Sequence, residues 1–215
     1  MDDDETFQAI LSKTIKRTVY NISVLGGSPR EILYILRNKD ILKEALIENN
    51  NNIEYVIYNY ITDHKIRLIS DIYKRGPKFK IINNGNNLVY VKPFLYENFY
   101  IYRKIKSYIA QKTFKSQRTQ DLLCLYIKEI KDQSDLLFNN SGKPIKFIFL
   151  VYENYDYSEW KNLEEYGIQV VDVDKILDVD IHGVEYRISE TNYHPNSQAW
   201  KVVVPALVKE LDISN

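Results

Sequence analysis

Cys124 is the only cysteine, so no internal disulfide can staple the chain, and its place in an apolar helical pattern suits a reducing compartment. An excess of charge is also missing. Lys+Arg and Asp+Glu both total 29, and without an overall field of either sign neither nucleic acid nor an anionic membrane is indicated as a partner. No run is long or apolar enough for a membrane span. The acidic start Met1-Asp2-Asp3-Asp4-Glu5 is the opposite of a signal peptide, so the expected location is cytoplasmic. The glycines build no glycine-rich phosphate loop, and there is no internal repeat. His64, His182 and His194 are too far apart in sequence to argue for a metal site. No cofactor is expected.

What remains is 215 residues of which 45% are hydrophobic, enough to bury the core of one ordinary domain, taken here as residues 1–215. Phe7, Ile10, Leu11 and Ile15 recur at helical spacing behind Thr6, a potential cap. Thr18 to Leu25 reads as a short strand. Gly26 and Gly27 break that run, and Ser28-Pro29-Arg30-Glu31 opens a helix: Ser28 as cap, proline at the first helical position, Glu31 closing a capping box. Ile32, Leu33, Leu36, Leu42, Ala45 and Leu46 supply the stripe of one long or broken helix.

Ile53 to Ile61 carries a nearly continuous apolar and aromatic run, the pattern of a central parallel strand covered on both faces. It ends in Thr62-Asp63-His64. In open α/β sheets the reactive crevice lies beyond the carboxyl ends of the strands, so Asp63 is a functional candidate by position, or else a plain cap for a helix over Lys65 to Tyr73. Turn residues between two apolar runs predict a β-hairpin insertion over about 79–92. Helical periodicity follows from about Glu97 to Lys112 and from about Thr119 to Phe138, with stripes of Tyr, Phe and Leu that belong to a core. Pro144 to Val151 reads as a buried strand, Glu159 to Tyr166 as a short helix and Gly167 to Val173 as another strand. The βαβα alternation predicts a parallel sheet with helices on both sides.

His194 stands in Tyr193-His194-Pro195-Asn196, ahead of an apolar helix from Ala199 to Leu211. A residue before proline is disfavoured inside a helix, so His194 is expected on a loop just before a helix start, with Asn196 as N-cap. That is a place for a catalytic base, or for a partly buried loop histidine.

These stretches resemble the conserved blocks of the SGNH (GDSL-type) esterases and acylhydrolases. Val19 to Ser28 looks like the second block, a strand followed by Asn, a small residue and Gly. Tyr55 to His64 sits where the third block, Gly-x-Asn-Asp, would come. Glu190 to Trp200 is similar to the last block, Asp-x-x-His-Pro-Asn. The resemblance implies a three-layer α/β/α sandwich with a flavodoxin-like parallel sheet, hydrolysing small-molecule or carbohydrate acyl esters through an activated serine. It also implies His194 as base and the Gly26 N–H as oxyanion donor.

The chain departs from that pattern in three ways. The Gly-Asp-Ser nucleophile block and the first strand are not found: Asp2 to Phe7 looks like the segment that follows them. Thr191 stands where the family has the acid that orients histidine, and Glu190 is the nearest carboxylate. Asp63 stands where the family has an oxyanion-hole Asn, which leaves His64, a backbone amide or Asn59 to substitute, since an ionised carboxylate only accepts hydrogen bonds. Ser28 is the alternative nucleophile, against its reading as a cap. The expectations are therefore an esterase-like domain of little activity, or a non-catalytic binding module that keeps the fold. A gap left by a missing central strand would make the chain marginal in stability or prone to self-association.

Overall fold

The computed structural model describes residues 3–23, 27–38, 42, 53–69, 78–82, 87–91, 104–105, 108–109, 112, 116–138, 144–152, 160–190 and 192–213. The chain divides into two compact units: Met1–Asn21, Leu150–Tyr155 and Val171–Asn215 form one, Ile22–Phe149 and Asp156–Val170 the other. The class is α/β, with a parallel three-stranded sheet. Its strands are β1 (Tyr55–Tyr60), β4 (Lys146–Val151) and β5 (Ile168–Asp172), in the order β1-β4-β5.

That order corrects the choice of central strand. β4 holds the middle, and every residue of it after Lys146 is buried, because Phe147-Ile148-Phe149-Leu150-Val151 offers an apolar side chain to both faces. β1 is only half-buried, with Tyr58 and Tyr60 its two buried positions. The expected strand over Thr18 to Leu25 is not formed at its described residues: 18–23 carry no strand and are largely exposed, and 24–26 lie outside the described residues. A β-branched, aromatic run becomes a strand only where a neighbour completes its ladder and covers one face, so its propensity alone did not suffice.

Helix α2 (Pro29–Arg37) starts as expected. Ser28 Oγ accepts from Arg30 N, and the Ser28 N–H donates to Glu31 Oε2 at 2.8 Å, closing the capping box. Its buried Leu33 and Leu36 lie on the face packed against α4 (Gln117–Phe138), which contributes Leu123, Ile127 and Ile130. Each such side chain contributes about 2 kcal/mol on burial. Arg37, at the last turn of α2, donates to the Leu88 carbonyl at 2.6 Å and to Glu129 Oε2 on α4 at 2.5 Å. Leu88 lies in β3 (Asn87–Val91), which pairs antiparallel with β2 (Lys78–Ile82) so that Ile82 faces Asn87. Helix α3 (Thr62–Ile69) begins three residues ahead of its expected start, placing Asp63 inside the first turn. The short α5 (Lys161–Glu164) buries Leu163, and Trp160 just before it is 1% exposed, edge-on to Tyr60 at 4.9 Å.

Of the aromatic stripe expected in the core over about 97–112, Tyr108 is 58% exposed and Phe99, Tyr100 and Tyr102 lie outside the described residues; the neighbouring Ile105 and Ile109 are 54% and 52% exposed.

In the other unit α1 (Phe7–Ile15) buries Leu11 and Ile15 and packs against α7 (Ser197–Glu210), with Phe7 edge-on to Trp200 at 5.1 Å. Thr6 takes the N-cap position, but its side chain makes no capping bond. The helix ends on Lys16 at φ 52°, whose N–H reaches Ser12 O. Helix α6 (Val173–Ile176) is capped by Asp172, and β6 (Arg187–Ser189) pairs antiparallel with β7 (Asn192–Pro195). No helix among the described residues is long and apolar enough to cross a membrane.

Candidate functional site

His194 is in β7 rather than on a free loop, and is half-buried, one residue before the buried Pro195. Pairing with β6 explains the difference: the extended backbone that proline imposes on the residue before it is also strand geometry. Asn196 locks the junction with α7. Its Oδ1 accepts from the N–H groups of Gln198 and Ala199 at 2.9 and 3.0 Å, and its Nδ2 donates to the carbonyls of Glu185 and Arg187 at 2.7 and 2.9 Å. One side chain thus caps the helix and ties it to the segment leading into β6. Glu190 is exposed at the turn between the two strands. Thr191 and Gly26 lie outside the described residues.

The carboxyl end of β1 holds three other candidates. Asp63 Oδ2 receives Arg67 Nη2 at 2.8 Å, four residues on, while Arg67 Nη1 donates to the Gly27 carbonyl at 3.2 Å. The carboxylate also sits in the first turn of α3, where the helix dipole favours it. His64 Nδ1 lies 3.3 Å from the Tyr58 hydroxyl, and the ring stands edge-on to Tyr58 and Tyr60. Burial, and secondarily the charge of Glu31, raises the pKa of Tyr58 well above the ordinary tyrosine value, with Arg67 opposing. Tyr58 therefore stays protonated, and its hydroxyl shares a hydrogen bond with Nδ1 whose direction follows the His64 tautomer. Asn59 Oδ1 is buried and makes no hydrogen bond among the described residues.

Ser28 is 3% exposed, and its hydroxyl is committed on both sides, donating to Glu31 Oε2 at 2.5 Å and accepting from Arg30 N at 3.3 Å. A hydroxyl held this way is a structural cap.

The pair that sequence reasoning missed is Asp174 and His182. Asp172 closes β5 and caps α6 by accepting from Asp174 N at 3.1 Å, which sets Asp174 just beyond the carboxyl end of the strand. His182 Nε2 meets Asp174 Oδ1 at 2.7 Å, the His182 N–H donates to Asp180 Oδ1 at 2.9 Å, and the imidazole packs edge-on against Tyr152 at 5.8 Å. The Tyr152 hydroxyl donates to the Ile181 carbonyl at 3.4 Å. Burial first, and then the Asp174 charge, raises its pKa above the ordinary range, with Arg187 opposing. A carboxylate bonded to an imidazole holds the ring in one orientation, an arrangement suited to proton transfer. The available sequence signal was position: Asp174 directly after an apolar strand. Its histidine comes eight residues later, across a turn that periodicity does not describe.

Among the described residues no group of three or more His, Cys, Asp or Glu is placed to hold a metal ion. No protein-family model, curated protein or solved structure matches the chain.

Proposed function

We propose that the chain is an SGNH-type acylhydrolase-like domain, a flavodoxin-like α/β/α sandwich that takes small-molecule or carbohydrate acyl esters, with His194 in the position of the base and with little turnover. The observation that carries this reading is the Asn196 junction. His-Pro-Asn leads rigidly into the C-terminal helix, with the asparagine spanning the helix start and the carbonyls of Glu185 and Arg187, as expected of a block that must hold an imidazole still. The strand order β1-β4-β5 is compatible with the flavodoxin-like arrangement.

Commitment of the Ser28 hydroxyl to Glu31 and Arg30 favours the second reading, a binding module that keeps the fold without the chemistry. The decisive comparison is p-nitrophenyl acetate hydrolysis, with binding of acetylated sugars followed by ligand-observed NMR, on the parent protein and on His194→Ala. Hydrolysis near background with binding weakened by His194→Ala is expected. Turnover that His194→Ala removes while Ser28→Ala leaves intact would establish an enzyme with another nucleophile. A protein that neither binds nor hydrolyses acyl esters would defeat both readings.

A further inference from the structure

His182 is held from three directions. Asp174 Oδ1 bonds Nε2 at 2.7 Å, Asp180 Oδ1 accepts from the backbone N–H at 2.9 Å, and the ring stands edge-on to Tyr152 at 5.8 Å. Tyr152, itself buried, also donates to the carbonyl of Ile181, a fully buried residue, so the backbone that carries the imidazole is anchored in the core. All of these groups belong to one compact unit. The second ring nitrogen is uncommitted: Nδ1 has no hydrogen-bond partner among the described residues, and the side chain is 30% exposed. A carboxylate only accepts, so in the neutral ring the proton lies on Nε2 and the lone pair on Nδ1. Asp174 Oδ2 is buried and has no hydrogen-bond partner among the described residues. A buried oxygen left unsatisfied costs stability and calls for a reason other than packing.

We propose that His182 Nδ1 is a general base that activates water directly against an acyl ester, with Asp174 as the positioning residue for the ring, so that turnover needs no side-chain nucleophile. The substrate class rests on the acyl-ester reading above. Nδ1 takes one proton from a water molecule as the water oxygen bonds to the ester carbonyl carbon. Collapse of the tetrahedral adduct breaks the C–O bond to the alcohol, and the proton passes from Nδ1 to the departing oxygen. Water is consumed, acid and alcohol are released, and the imidazole is regenerated. A single base without a covalent intermediate gives slow hydrolysis, in keeping with little turnover. The other use of an open imidazole nitrogen is to accept a phosphoryl group. Asp174 and Asp180, both bonded to His182, would repel an incoming phosphate dianion, whereas a neutral ester meets no such repulsion.

The test uses the full chain at high concentration with p-nitrophenyl acetate, and follows binding of acetylated sugars in parallel by ligand-observed NMR. Expected are a slow protein-dependent rate without a pre-steady-state burst, no acyl group on the protein by mass spectrometry, and slower hydrolysis in deuterium oxide, since a proton moves in the attack step. His182→Ala should lower kcat by about a hundredfold, to the rate in buffer. Asp174→Asn should lower kcat with KM unchanged, a split that a merely structural role would not produce. Hydrolysis that survives in His182→Ala overturns the proposal. So does a burst with the acyl group retained, which would place the nucleophile on a side chain; the burst and isotope measurements use the parent protein and do not depend on a variant folding. A parent protein that binds acetylated sugars without hydrolysing the ester overturns the proposal and leaves the acyl-ester reading standing, and one that neither binds nor hydrolyses overturns both.

Discussion

His182 Nε2 stands 2.7 Å from Asp174 Oδ1, eight residues apart in sequence and joined across the turn that follows α6. Both side chains are about a quarter to a third exposed, so the contact is partly shielded from water and its loss should be measurable. Asp174→Ala is expected to cost about 2 kcal/mol, the hydrogen bond together with the penalty on the partner left behind. In a double-mutant cycle with His182→Ala the two losses should overlap by about 1 kcal/mol. Urea unfolding of the four proteins checks this; strictly additive losses would show that the pair does not interact in solution.

Two ion pairs on α4 should differ in worth. Glu129 is 8% exposed at its side chain and receives Arg37, whereas Lys128 and Asp132, at 30% and 41%, pair on the solvent side. Glu129→Ala removes a buried carboxylate from the mostly buried Arg37, and is expected to cost about 3 kcal/mol. Asp132→Ala should cost no more than about 0.5 kcal/mol. Denaturant midpoints for the two variants measure the contrast, and equal midpoints would contradict it.

Ser28→Ala removes a cap, so a loss of about 1 kcal/mol is expected. Any hydrolysis of p-nitrophenyl acetate should be unchanged. A rate that collapses while the melting temperature holds would make Ser28 a nucleophile instead.

Stability should decline in alkali through two tyrosines. Tyr58 and Tyr152 both have folded pKa values above the ordinary 10.0. Between pH 10 and those higher values the unfolded chain releases protons that the folded chain keeps, so stability is intact below pH 10 and falls as pH rises beyond it. The slope should approach 1.4 kcal/mol per pH unit for each tyrosine. Urea midpoints from pH 9 to 11 should therefore fall less steeply for Tyr58→Phe and for Tyr152→Phe than for the parent protein.

Features set by a few neighbouring residues were legible in the sequence. Ser28, Pro29 and Glu31 specify a helix start through bonds spanning at most three residues, and the structure forms that box. Asn196 caps the last helix for the same reason. The run after Lys146 demanded burial on both faces whatever lay around it. Tertiary structure decided what depended on partners distant in the chain. Thr18 to Ser23 had strand composition but forms no ladder, because a strand exists only with a neighbour. The run at β1 looked central, and only the pairing order put β4 in the middle. His182 acquired its carboxylate across a turn, and Tyr108, expected in a core stripe, is exposed. Periodicity records which residues share a face, but which surface that face meets depends on the packing of the rest of the chain.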